Sequence, residues 1–170
     1  MKAIVAVDKK WGIGKNNDLL FRLSEDMKFF RRTTTGKVIV MGSNTLKSFP
    51  QGKPLPNRTN VVLYPGGEKR DDCVICESLE ELKTVLSAYR EEDIFVVGGA
   101  MFYRTMLPYC DKVYVTKVDA DGGATVFYEN LDELPGWRLV GQSEKTNDNG
   151  YEIIFCEYEN DNVLDFFGGK

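Results

Sequence analysis

Apolar positions along the chain follow two rhythms. Residues 2–8 (KAIVAVD), 37–42 (KVIVMG), 59–64 (TNVVLY) and 93–99 (DIFVVGG) are short, nearly continuous apolar runs, as expected of strands covered on both faces. CVIC at 73–76 is a shorter run of the same kind. Helical spacing lies between them: residues 24–34 (SEDMKFFRRTT), a short stretch from 43 (SNTLKSF), residues 78–89 (SLEELKTVLSAY) and residues 100–109 (AMFYRTMLPY). The third opens with Ser78 and Glu81 at capping-box spacing and carries Leu79, Leu82, Val85 and Leu86 on one face. After residue 112 the rhythm changes to alternation. KVYVTKVD is followed by WRLVGQSEKT and YEIIFCEYE, the last two joined by NDNG and predicting an antiparallel hairpin. Alternating strands and helices followed by paired strands predict one α/β domain over residues 1–159. Its sheet is mostly parallel, with an antiparallel C-terminal edge hairpin and about four flanking helices. Residues 9–21 hold too many turn-formers for regular structure and suit a mobile lid, and residues 160–170 form a loosely held extension.

One position breaks the pattern. Wound at about 100° per residue, the first helix places Glu25, Lys28, Arg31 and Arg32 on a wet arc and Met27, Phe29, Phe30, Thr33 and Thr34 opposite, with Asp26 among the latter. An acid next to Ser24, a good N-cap, suits a helix N-terminus. That accounts for Glu25 fully, and for the location of Asp26 but not its direction. A carboxylate on an apolar arc needs a bonding partner, from the protein or from a ligand.

Composition narrows the chemistry. The net charge of -4 argues against a nucleic-acid surface. No apolar run is long enough for a membrane span, and the first residues do not form a signal peptide, so a cytoplasmic location is expected. Cys73 and Cys76 have CxxC spacing without a second pair, so the four cysteines are expected to be free thiols and no metal site is expected. The chain has no histidine, which removes Ser-His-Asp and Cys-His nucleophile schemes and leaves proton chemistry to carboxylates, lysine, tyrosine, cysteine or water.

Two strand-to-helix junctions, VIVMGSNT and FVVGGAMFY, are glycine-rich. Such turns let a backbone approach a ligand, and the first N–H groups of the next helix suit phosphate. Two in one sheet could hold a dinucleotide, although GxGxxG and GxxxxGK[ST] patterns are both missing. Arg58, in the proline-stiffened PLPNR segment, is either a solvated cation or a clamp for a carboxylate.

Taken in order, AVD..WGIG..NDLL, LSEDMKFFRRTT, KVIVMGSNTLKSF, KPLPNRTNVVL, VVGGAMFYRTMLP, VYVTKVDA and GYEIIF resemble the dihydrofolate reductases of chromosomal bacterial type, from Met1 to about Tyr158. The resemblance implies hydride transfer from NADPH to C6 of 7,8-dihydrofolate, with protonation at N5 by water. Asp26 would orient the pterin and favour its protonated form, Thr116 would bond the same carboxylate, and Leu19, Leu20 and Phe21 would form the lid end of the mobile loop. Ile4, Val5, Ala6, Met27, Phe30, Phe49 and Leu55 would wall the pocket, Arg58 would clamp the glutamate carboxylate, and Val97 with Tyr103 would line the pterin–nicotinamide junction. The resemblance places cofactor contacts at Ala6, Ile13, Gly14 and Leu19, at Gly42, Ser43, Asn44 and Thr45, and at Leu63 and Tyr64. It places the remainder at Val97, Gly98, Gly99, Ala100, Met101, Phe102 and Thr125. It also implies a monomer that binds diaminopyrimidine and pteridine antifolates.

The chain departs from the family pattern in places. Phe21 replaces a usual tryptophan and Leu46 an aromatic; Ser43 and Met101 stand where arginines are frequent. YPGG replaces the serine-containing 2′-phosphate segment, with Lys47, Lys69 and Arg70 as possible substitutes, so NADH is not excluded. Ala124 stands where an aspartate often steadies the mobile loop, which implies altered loop dynamics. The alternatives are the related pyrimidine reductase of riboflavin synthesis and a folate-binding protein without turnover.

Overall fold

A computed structural model describes residues 1–16 and 18–168; Asn17 of the glycine-rich loop and Gly169 and Lys170 of the extension lie outside the described residues. The chain begins β1 (Lys2–Val7), β2 (Gly12–Gly14), α1 (Ser24–Thr34), β3 (Val38–Gly42), α2 (Ser43–Ser48), β4 (Thr59–Leu63), β5 (Val74–Cys76) and α3 (Leu79–Leu86). It continues β6 (Ile94–Gly98), α4 (Ala100–Met106), β7 (Lys112–Val118), β8 (Val126–Phe127), β9 (Trp137–Gln142), β10 (Thr146–Asp148) and β11 (Tyr151–Asn160). The main sheet runs β10-β11-β7-β1-β6-β3-β4-β5, with β9 also on β11. Every pair from β7 to β5 is parallel, and β11 is antiparallel to β7. The α/β class, the mostly parallel sheet and the antiparallel edge are as expected.

Alternation along each strand assigns its side chains to two layers. Val5, Val7, Val113 and Val115 join α3 and α4 in one apolar cluster, while Ile4, Phe95, Ile39 and Val62 join α2 and the half-buried Phe29 and Phe30 of α1 in the other. Each fully buried aliphatic side chain contributes roughly 1.5–3 kcal/mol, which explains why both faces of these strands are apolar. The chain leaves β1 for the β3-β4-β5 side and returns through β6, which inserts between β1 and β3. The order reverses there, and the carboxyl ends of β1, β6 and β3 border the kind of crevice that α/β sheets use for ligands.

Local expectations were met with exceptions. Ser78 Oγ accepts from the Glu81 N–H at 3.1 Å, but the Glu81 carboxylate reaches the Glu77 N–H and not that of Ser78, so only half of the capping box forms. The predicted final hairpin is split: β9 and β10 both pair with β11, separated by residues 143–145, of which the Ser143 hydroxyl accepts from the Phe155 N–H at 2.9 Å. Within residues 9–21, Gly12–Gly14 is regular after all and pairs with Val126–Phe127. In the extension residues 161–165 and 168 are exposed, and Phe166 fastens it to the domain. Phe166 is 3 % exposed and meets the Tyr109 ring edge-on at 5.1 Å, because the far-face cluster leaves an apolar edge that an aromatic closes. All four cysteines are unpaired.

Candidate functional site: an acid and two glycine turns at the sheet's switch point

Asp26 lies in the first turn of α1 and faces the sheet. Thr116 on β7, 2 % exposed, donates its hydroxyl hydrogen to Asp26 Oδ1 at 2.6 Å. The other carboxylate oxygen has no partner among the described residues. Burial raises the Asp26 pKa above the ordinary carboxylate value, the Thr116 bond opposes that, and the nearby Asp148 charge adds to it. The parallel register sets Ala6 beside Thr116 and Ile4 beside Tyr114, so Ile4 and Ala6 share the face of Asp26.

The first turn of α1 corrects one expectation. Ser24 is inside the helix, the N-cap is Leu23 and no side chain of that segment caps the turn. The cap comes from Asp148, which accepts from the N–H groups of Glu25 (2.9 Å) and Asp26 (3.1 Å) and from the Ser24 hydroxyl (3.3 Å). Asn149 and Gly150, both with positive φ, form the tight hairpin turn that an Asn-Gly pair favours, which leaves Asp148 paired with Tyr151 at the hairpin tip. An acid just before an Asn-Gly pair was the available signal, but nothing local to residue 148 names residue 26 as its target.

Arg58 borders the same face. Its Nη1 donates to Thr34 Oγ1 at 3.3 Å and its Nε to the Pro56 carbonyl at 2.9 Å, and its guanidinium lies 5.9 Å from the Phe30 ring centre. No carboxylate pairs with it among the described residues. Partial burial and then the neighbouring Arg31 lower its pKa, as expected of a cation lacking an anion. Asn60, a residue that sequence reasoning missed, is buried and shapes this loop. Its side-chain amide donates to the carbonyls of Leu55 (2.9 Å) and Arg58 (3.1 Å) and accepts from the Leu55 N–H (3.0 Å). Phe30, Phe49, Leu55 and Val97 are half-buried in the same cluster as Ile4.

The two glycine-rich turns sit side by side. A register shift in the β3–β6 pair brings Gly98 opposite Met41, so that α2 and α4 start next to each other. A Cβ on Gly98 would lie 2.7 Å from Thr45 Oγ1, and one on Gly99 3.3 Å from it. Gly98 has a φ of +146°, which side-chain-bearing residues rarely adopt. No side chain caps α2 or α4 at Gly42 or Gly99, and Ser43, Asn44, Thr45 and Ala100 surround these ends.

Several expected site residues are placed elsewhere. Val5 points into the far-face cluster, because neighbours on a strand face opposite ways. Phe102 and Tyr103 are buried in that cluster too, and the Tyr103 hydroxyl donates to the Ile4 carbonyl at 2.7 Å, so it anchors β1 near Asp26. Met27, expected in the pocket wall, is 58 % exposed, and Met101, expected at the cofactor, is 81 % exposed. Leu19 is 65 % exposed, whereas the Phe21 ring meets Tyr151 at 4.7 Å in a third cluster with Leu23 and Ile153. Phe21 thus anchors the end of the loop. Ile13 and Gly14 lie on β2 and Thr125 immediately precedes β8, its N–H donating to the Gly14 carbonyl at 2.9 Å. Leu63 ends β4, and Tyr64 follows it beneath the Lys47 ammonium, 5.0 Å away.

Sequence reasoning also missed Asp8. Its buried carboxylate accepts from the N–H groups of Lys10 (2.8 Å), Gly12 (2.7 Å) and Gly122 (3.0 Å), tying the glycine-rich loop to the loop before β8. A Cβ on Gly12 would collide with that of Ala124, so the two loops touch where both side chains are minimal.

A family model described as dihydrofolate reductase matches residues 1–160. The chain belongs to the dihydrofolate reductase family. Among its relatives, dihydrofolate reductase of Bacillus subtilis (strain 168) is 35 % identical over 162 residues, covering 94 % of each chain. That of Staphylococcus haemolyticus is 36 % identical over 161 residues, covering 92 % of this chain and 93 % of the relative. Among solved structures, the dihydrofolate reductase of Enterococcus faecalis complexed with NADP(H) and RAB-propyl superposes with a TM-score of 0.80 at 27 % identity, covering 94 % of this chain and 95 % of that one. In this family chain, then, the acid on the apolar arc is held by a threonine from β7, and both glycine turns open at the same end of the sheet.

Proposed function

We propose that this chain is an NADPH-dependent enzyme that reduces 7,8-dihydrofolate to 5,6,7,8-tetrahydrofolate. The carrying observation is Asp26, half-buried, with one oxygen held by Thr116 and the other open. That geometry suits a ring presenting an N–H and an amino group together. A costly buried carboxylate favours a ligand with donors or positive charge, so Asp26 orients the pterin and raises its affinity for a proton, which water delivers. Ile4, Ala6, Phe30, Phe49, Leu55 and Val97 give the ring and its linker an apolar wall. Arg58, lacking a carboxylate partner, binds the carboxylate at the far end of the substrate.

The residues present fit a dinucleotide: Gly98 and Gly99 leave open a space that any side chain would fill against Thr45. Uncapped N–H groups at the starts of α2 and α4, with Ser43, Asn44 and Thr45, suit the pyrophosphate. When bound, the dinucleotide supplies the hydride that the pterin accepts. Of the three cations available for a 2′-phosphate, Lys69 is held by Glu81 and the Ile75 carbonyl, both at 2.7 Å, and Arg70 by two bonds to Asp72 at 2.8 Å. Lys47 has no carboxylate partner among the described residues and lies 5.0 Å from the Tyr64 ring, which favours it for the phosphate. The reading extends to diaminopyrimidine and pteridine antifolates as competitors, and to a cytoplasmic monomer. No helix among the described residues is long and apolar enough to cross a membrane.

The deciding experiment follows 340 nm absorbance with dihydrofolate and either NADPH or NADH. Turnover with NADPH, and a preference over NADH that drops about tenfold in Lys47→Ala, the scale of one exposed charge contact near 1.4 kcal/mol, is the expected result. Folate binding without turnover rejects the enzymatic reading, and an unchanged preference in the variant rejects Lys47.

A further inference from the structure

Asp148 is separated from Asp26 by most of the chain, yet its carboxylate bonds the backbone N–H of Asp26 as well as that of Glu25. It is 2 % exposed, and it comes from the β10–β11 hairpin and not from the helix it caps. The other groups facing Asp26 are few. β7 presents Thr116, which donates to Asp26, and α4 presents Tyr103, whose hydroxyl is committed to the Ile4 carbonyl. On α1 itself, Glu25 and Lys28 pair with each other at the surface at 3.1 Å. Asp148 is therefore the only charged side chain of another element that hydrogen-bonds the Asp26 turn among the described residues.

We propose that Asp148 is a positioning residue for Asp26, clamping the first turn of α1 to the hairpin tip and setting a second negative charge behind the acid that faces the substrate. The proposal rests on reading Asp26 as that acid. Capping alone would be met by asparagine or serine, which serve helix N-termini as well as aspartate does. What aspartate adds is charge. A like charge nearby disfavours the ionised form of Asp26, in the same direction as its burial and against the Thr116 bond. The same charge raises the proton affinity of any ring nitrogen bound against Asp26, which is the direction that reduction of the pterin needs.

The test uses the full-length protein. The Asp26 carboxyl is titrated by carbon-13 NMR in the wild type and in Asp148→Asn, which keeps an acceptor oxygen but loses the charge. The pH profile of the hydride step is recorded for both. The Asp26 midpoint is expected to fall toward the ordinary carboxylate value in Asp148→Asn, and the profile to move to lower pH with it. In Asp148→Ala, amide exchange at Glu25 and Asp26 is expected to speed up about tenfold or more as the turn opens locally. An unmoved midpoint in folded Asp148→Asn overturns the electrostatic role, and unchanged exchange in Asp148→Ala overturns the clamp. Asp148→Ser repeats the midpoint measurement should the asparagine variant fold poorly. A midpoint that falls in a protein without turnover supports the positioning role while rejecting the enzymatic reading, so the two fail separately.

Discussion

Asp26 carries opposite demands on stability and chemistry. Its pKa is raised in the folded state by burial, so the fold binds more protons than the unfolded chain between the ordinary carboxylate value and the raised one. Stability therefore falls as pH rises through that window, and at neutral pH the ionised carboxylate is a net cost. Asp26→Asn is expected to gain about 1 kcal/mol at pH 7, the usual size of an active-site relief, visible as a rise of about 2–4 °C in Tm. The same change is expected to slow hydride transfer by about a hundredfold at neutral pH, with partial recovery as pH falls and the substrate arrives protonated; stopped-flow rates across pH measure this. A variant with wild-type rates would remove Asp26 from the mechanism. Arg58 makes no comparable demand on the fold, since its bonds are to a threonine hydroxyl and a carbonyl. Arg58→Leu should leave Tm nearly unchanged and weaken dihydrofolate binding by about 2 kcal/mol, close to thirtyfold in Kd. Equal affinities by fluorescence titration would return Arg58 to being a solvated cation.

At the scale of elements, the strands, both glycine turns and the α3 cap were legible because each depends on neighbours in sequence. The α1 cap and the split of the final hairpin were not. The first needs a carboxylate from 122 residues away, and the second depends on residues 143–145 standing between two pairing segments. The contact between the β3–α2 and β6–α4 turns also belongs to this scale. It joins two patterns that look independent along the chain, through Thr45 against Gly98. Gly98→Ala is expected to destabilise the fold by roughly 1–3 kcal/mol through its positive φ and the crowded Thr45 hydroxyl, and to weaken NADPH binding more than dihydrofolate binding. Chemical denaturation and separate titrations of the two ligands check this. Equal losses for both ligands would mean that the turn supports the whole crevice and not the dinucleotide half.

For the whole molecule, the two-layer arrangement puts chemistry on one face and much of the supporting core on the other. Phe166 shows the consequence: it closes the far-face cluster beside Tyr109, with the Lys83 ammonium 5.6 Å from its ring centre. Phe166→Ala should cost about 3 kcal/mol, or about 6–12 °C in Tm, with KM for both ligands unchanged, since the site lies on the opposite layer. A changed KM would show that the tail communicates with the crevice. By itself, the sequence determined the α/β class, the buried strands and the two glycine-rich turns and singled out Asp26, because periodicity, glycine placement and a misplaced acid are local properties, whereas Thr116 and the clamp role of Arg58 were implied by the family resemblance. Only the tertiary structure decided that the Val5 and Phe102 side chains turn into the far-face cluster and that, of Lys47, Lys69 and Arg70, Lys47 has no carboxylate partner among the described residues. It alone also decided that Asp8 and Asp148 secure the loop and the helix. Those outcomes depend on which face a strand turns to solvent and which distant carboxylate finds an unpaired N–H, and neither is written in neighbouring residues.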